Sequence, residues 1–129
     1  MRFLKLSKGQ SIIEVIVALS LVAIVVLALV RVTISSIQNS SFAKDQQIAT
    51  QYAQEGIENA RKLKEENEVE FWSKNGSEEE TINKFTRTVT YTPAPGEEDQ
   101  KMEVQVVVTW EDTKGTHQSD LSTYLTRWK

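Results

Sequence analysis

The chain has 129 residues, a formal net charge of −3 and no cysteine. That length suits one domain, and with an apolar N-terminal span set aside it leaves a head with a small core. The mildly acidic balance removes any electrostatic case for nucleic-acid binding. Without disulfides the head depends on packing, on a partner or on assembly.

The first nine residues, Met1–Gly9, carry three bases, Arg2, Lys5 and Lys8, and no acid, so their loss would take the charge from −3 to −6. After Gly9 come Gln10, Ser11, Ile12, Ile13 and Glu14, and then Val15–Val30, sixteen residues with no charge, glycine or proline. Ile12–Val30 spans about 28 Å as helix, close to the ~30 Å hydrocarbon core of a bilayer. Basic residues ahead of it predict a cytoplasmic N-terminus and an exported C-terminus. A conventional secretory signal would have a shorter apolar core and a small-residue cleavage site after it. Here Val30-Arg31-Val32-Thr33-Ile34 continues in helix-compatible sequence. An uncleaved membrane anchor is the simple alternative. Arg31 ends the uncharged run and is expected to snorkel to headgroups. Glu14 is the exception within the tract, because an ionisable group in lipid is costly and marks a functional position by default.

From Thr33 the pattern becomes amphipathic. Phe42, Ala49, Tyr52, Ala53, Gly56, Ala60 and Leu63 recur at helical steps, with Ile48 and Ile57 widening the stripe. Lys44, Asp45, Glu55, Glu58, Arg61 and Lys62 are assigned to the other faces. This predicts one helix from about Ser11 to about Glu66. Gly56 costs about 1 kcal/mol against alanine there, which points to close approach of a strand. Glu68–Asn83 reads as a connector, with Phe71-Trp72 as a core plug or short helix and Asn75-Gly76 as a turn.

Three strands are predicted next. Phe85, Arg87, Val89 and Tyr91 alternate with Thr86, Thr88 and Thr90. Pro93-Ala94-Pro95-Gly96 ends that strand, and Glu97-Glu98-Asp99 makes the following loop acidic. Adjacent acids without a ligand-loop pattern are usually solvated rather than a calcium site. Met102–Glu111 is the strongest strand, Asp112-Thr113-Lys114-Gly115 a hairpin turn, and His117–Trp128 the returning strand. Short connections favour an antiparallel meander laid on the helix. The single histidine, His117, has no cysteine to join it, so no catalytic constellation, metal or cofactor is expected.

Gly9, the four residues Gln10–Ile13, Glu14 and the apolar helix resemble the prepilin signature of type IV pilins and of the pseudopilins of secretion and competence systems. Gln51–Arg61 is similar to the helix ends of minor pilins, and Val106–Trp110 with Tyr124–Trp128 to the last strands of short ones. The resemblance implies an α+β, pilin-like fold: one long N-terminal helix, transmembrane in its first half, packed on a small antiparallel sheet of about three strands. It divides the chain into a basic leader (1–9), a transmembrane assembly segment (10–31), an amphipathic helical half (32–66) and a β head (67–129). It implies membrane insertion, cleavage between Gly9 and Gln10 by a prepilin peptidase, and methylation of the new N-terminus. Gln10 departs from the usual phenylalanine, and an N-terminal glutamine can instead cyclise.

The resemblance makes Glu14 the fifth residue of the mature chain. There it would pair with a neighbouring subunit's N-terminal amine and set axial register, the best-attested use of a buried polar group. Its simple alternative is a carboxylate at headgroup level, modestly favoured by the helix dipole. Implied partners are the membrane, the peptidase, other pilin subunits and, indirectly, an assembly platform and its ATPase; nucleic acid would follow only for a DNA-uptake pilus. A structural minor subunit is expected, not an enzyme. The competing expectations are a major pilin and a monomeric signal-anchored adhesion protein.

Overall fold

The computed structural model describes residues 8–127. Arg2 and Lys5 of the expected leader, and Trp128 of the last expected strand, lie outside the described residues. The elements in chain order are α1 (Lys8–Glu66), α2 (Glu68–Ser73), β1 (Gly76–Ile82), β2 (Phe85–Pro93), β3 (Lys101–Asp112) and β4 (Gly115–Thr126). This is the expected α+β layout, a long N-terminal helix whose second half packs on an antiparallel sheet. The chain forms two compact units, one ending at Phe42 and one starting at Ala43, so the head takes the rest of α1 with it.

The sheet is a meander in the order β1-β2-β3-β4, and it has four strands rather than three. The additional strand, β1, lies in the segment read as a connector. Its Glu78-Glu79-Glu80 run has poor strand propensity, which tertiary pairing overrides. Seven residues, Gly76 to Ile82, pair in register with Tyr91 to Phe85. Asn83 turns the hairpin with φ 56, a left-handed conformation that asparagine tolerates.

Alternation sorts the sheet into two faces. Met102, Val104, Val106, Val108 and Trp110 of β3 are buried, with Phe85 and Tyr91 of β2 and Leu125 of β4. The other face carries Thr86, Thr88, Thr90 and Thr92, none of them buried. From the helix come small side chains: Ala49, Ala53 and Ala60 are buried, as is Ile57. Each fully buried Val, Ile, Phe or Met contributes about 1.5–3 kcal/mol. Gly56 meets the sheet most closely. A Cβ built there would lie 3.0 and 3.1 Å from the two Val106 methyls and 3.3 Å from Arg87 Cδ. The glycine therefore marks the expected close approach.

Two charged residues contradict the simple inside-outside pattern. Asp45, assigned to a solvated face, is buried. The turn of the unanticipated β1–β2 hairpin delivers Lys84, whose Nζ donates to Asp45 Oδ2 at 2.6 Å. Arg87 is equally buried, in phase with Phe85 and Tyr91. Phe71 proves to be both plug and short helix. It lies in α2 at zero exposure, and Asn67 caps that helix by accepting from the Glu70 N–H at 3.2 Å.

Candidate functional site

The expected processing site falls at the beginning of α1. Lys8, Gly9 and Gln10 are already helical, so α1 begins earlier than the expected start near Ser11. No proline or branched residue sits at Lys8, Gly9 or Gln10 to resist helical dihedrals, and a single glycine at a helix end costs little. Glu14 follows in the second turn and is exposed. Among the described residues no ion pair involves it.

Among the described residues none buries the Val15–Val30 segment. Its large side chains are all about half to two-thirds exposed, from Val30 at 49% to Leu19 and Leu27 at 64%. Exposure all round the helix distinguishes this segment from the core helix of a soluble protein, where one face would be buried. The most apolar window of the helix has a mean hydropathy of 3.1, and none of it is buried, so α1 is long and apolar enough to cross a membrane. The segment's one polar side chain, Ser20, donates back to the Ile16 carbonyl at 2.8 Å. Just past Arg31, Thr33 does the same to Leu29 at 2.9 Å. Both hydroxyls are satisfied within the helix, an arrangement compatible with a medium without water. Glu14 and Arg31 bracket the uncharged span, about 26 Å apart along the axis.

The head offers a concave feature on the β1 side of α1. A cleft of about 260 Å³ is lined by Gly56, Asn59, Glu78, Glu80, Arg87 and Tyr91, among others. Arg87 lies along its floor. One nitrogen donates to Glu80 at 2.5 Å and another to the Tyr52 carbonyl at 3.2 Å. Glu55 adds a longer contact of 3.7 Å. The Tyr52 carbonyl belongs to the helix turn that Gly56 closes, so the missing Cβ admits the guanidinium stem. At the other end Lys74 pairs with Glu78, and that hydrogen bond raises the lysine's pKa above its ordinary value. Burial pushes the Tyr91 phenol up. The acids of this cleft are thus largely spent on internal cations, and the arrangement is a clamp between β2 and α1.

His117 and Asp112 face each other across the β3–β4 turn, with Nε2 and Oδ1 2.9 Å apart. That hydrogen bond holds the Asp112 carboxyl below its usual range. The His117 ring also lies 5.6 Å from that of Trp110. In the acidic loop, Glu98 turns back on backbone N–H groups, its own and that of Gly96, which lower its pKa. Among the described residues no group of three or more His, Cys, Asp or Glu side chains converges on a metal-sized position.

Gly9, Gln10 and Glu14 stand out in the sequence by their spacing, whereas the clamp does not. The available signal was Arg87 itself, which alternates in phase with two core residues of β2, Phe85 and Tyr91. No family model, curated protein or solved structure matches the chain.

Proposed function

We propose that this protein is a minor subunit of a type IV pilus or a related pseudopilus. It is inserted as a prepilin with its N-terminus inside and its head outside, cut between Gly9 and Gln10, and assembled through α1. The observation that carries this is the placing of one carboxylate, Glu14, five residues after Gly9 at the front of an uncharged helix that runs on into an α+β head. In a filament the Val15–Val30 surface exchanges lipid for neighbouring helices. Glu14 then meets the N-terminal amine of another subunit's Gln10 and sets register. Gln10, the small head and the lack of a disulfide-closed loop favour a minor over a major subunit.

Mass spectrometry of the native protein extracted from membranes tests the processing step. The expected mass lacks Met1–Gly9, with or without one added methyl. An intact leader would instead indicate a plain membrane anchor. Glu14→Ala is expected to leave cleavage intact and to reduce recovery in sheared filaments; normal recovery would refute the register role. Abundance in those filaments separates a minor from a major subunit.

A further inference from the structure

The two edges of the sheet are built differently. β1 is short and presents three consecutive glutamates, Glu78, Glu79 and Glu80, a common protection against pairing with another chain. β4 is the opposite edge, twelve residues long with Asp120 as its one formal charge, and it pairs with β3 alone. Its central stretch from Gln118 to Leu125 contains no proline, and its one-to-one register with β3 has no bulge. Of the three exposed large apolar side chains among the described residues of the head, two belong to it, Leu121 and Tyr124.

The flank of α1 beside this edge is recessed. Thr50 Oγ1 lies 3.3 Å from Ser119 Oγ, which sets the helix wall against β4. Next to Thr50, a depression of about 500 Å³ is lined by Gln46, Gln47, Gln51 and Gln54. A strand added to β4 would pair its backbone with the free side of Gln118–Leu125. Its inward side chains would rest over Leu121 and against these glutamine amides, and its outward ones beside Asp120 and Tyr124.

We propose that β4 is a docking edge for an extended, basic segment of a partner polypeptide, bound by strand addition. Main-chain hydrogen bonds supply the affinity in this mode and alternate side chains the selectivity. The charge of the head selects the sign of the partner. From Ala43 onward there are seventeen acidic against eleven basic side chains. A second copy of the chain would bring the same acidic surface. Antiparallel β4–β4 pairing centred on Leu121 would also place the two Asp120 carboxylates diagonally adjacent. A lysine or arginine opposite Asp120 removes both penalties.

The test uses the full-length protein in neutral detergent micelles and hydrogen exchange read by mass spectrometry. The probe is a synthetic capped octapeptide of alternating valine and threonine with two lysines on its threonine face. Its control carries glutamates in place of the lysines. The lysine peptide is expected to slow exchange of the β4 amides at least about ten-fold and to leave β1 unchanged. It should bind about five-fold more tightly than the control, and Asp120→Lys should reverse that preference. Asp120 is exposed, so this variant leaves the fold intact, as the unchanged exchange of β3 would verify. No protection of β4, equal protection of β1, or equal binding of the two peptides would overturn the proposal. So would a dimer that already protects β4 without peptide. Each of these results is independent of whether the leader is cleaved.

Discussion

The two halves of α1 use one backbone conformation for opposite purposes. From Val15 to Val30 the side chains are mostly large, aliphatic and exposed all round, and the polar hydroxyl of Ser20 is returned to its own helix. In the head most buried helix positions are small, Ala49, Ala53, Gly56 and Ala60, with Ile57 the one large apolar exception, and the bulk comes from Val106, Val108 and Trp110 opposite. A helix facing lipid needs apolar surface on every side. A helix laid on a sheet needs one narrow stripe that lets the layers approach. Here that approach is close enough for Arg87 to reach a helix carbonyl.

Substitutions in the two halves should therefore separate cleanly. The largest effect is expected for Trp110→Ala, about 3–5 kcal/mol of head stability, measured by chemical denaturation in micelles. Leu21→Ala, a comparable truncation on the exposed helix, should leave that transition unmoved. A large loss from Leu21→Ala would mean that the apolar segment packs on the head. Next comes Arg87→Met, expected to cost about 2 kcal/mol through the lost charge-assisted bond to Tyr52. The partner change Glu80→Gln should cost under about 1 kcal/mol, because that carboxylate is exposed and screened.

Gly56→Ala sets two effects against each other. Alanine gains about 1 kcal/mol of helix propensity, while displacing Val106 costs about 1–3 kcal/mol. The expected net result is a loss near 1 kcal/mol, read as a fall in Tm of about 4–8 °C. A rise would show that Val106 gives way freely. The smallest effect is a pH dependence. Asp112 has a folded pKa below its ordinary 3.8, so its contribution is complete above that value and fades as pH falls through the lower, folded one. Asp112→Asn should flatten the acid limb of the stability curve. Lys74 behaves oppositely. Its raised pKa gives a contribution that is complete below 10.5 and lost as pH climbs through the folded value.

How far each element was legible follows from how local its signal is. The apolar run, the stripe from Ala49 to Ala60 and the alternation of Met102–Glu111 are periodic in one dimension, so α1 and β3 could be read directly. Gly9, Gln10 and Glu14 were legible as a spacing. β1 was not, because three glutamates in a row suggest solvent and acquire their strand only from pairing with β2. Asp45 was misplaced for a related reason: its counter-ion, Lys84, arrives from that hairpin, thirty-nine residues away.

Composition and periodicity thus determined a membrane-grade helix, a lone carboxylate at its front and a helix-on-sheet head. Each follows from hydrophobic patterning, which the chain carries residue by residue. Tertiary structure alone decided which charges are buried and which sheet edge is guarded. Burial of a charge depends on a partner brought from elsewhere in the chain, and an edge exists only once the strands have been put in order.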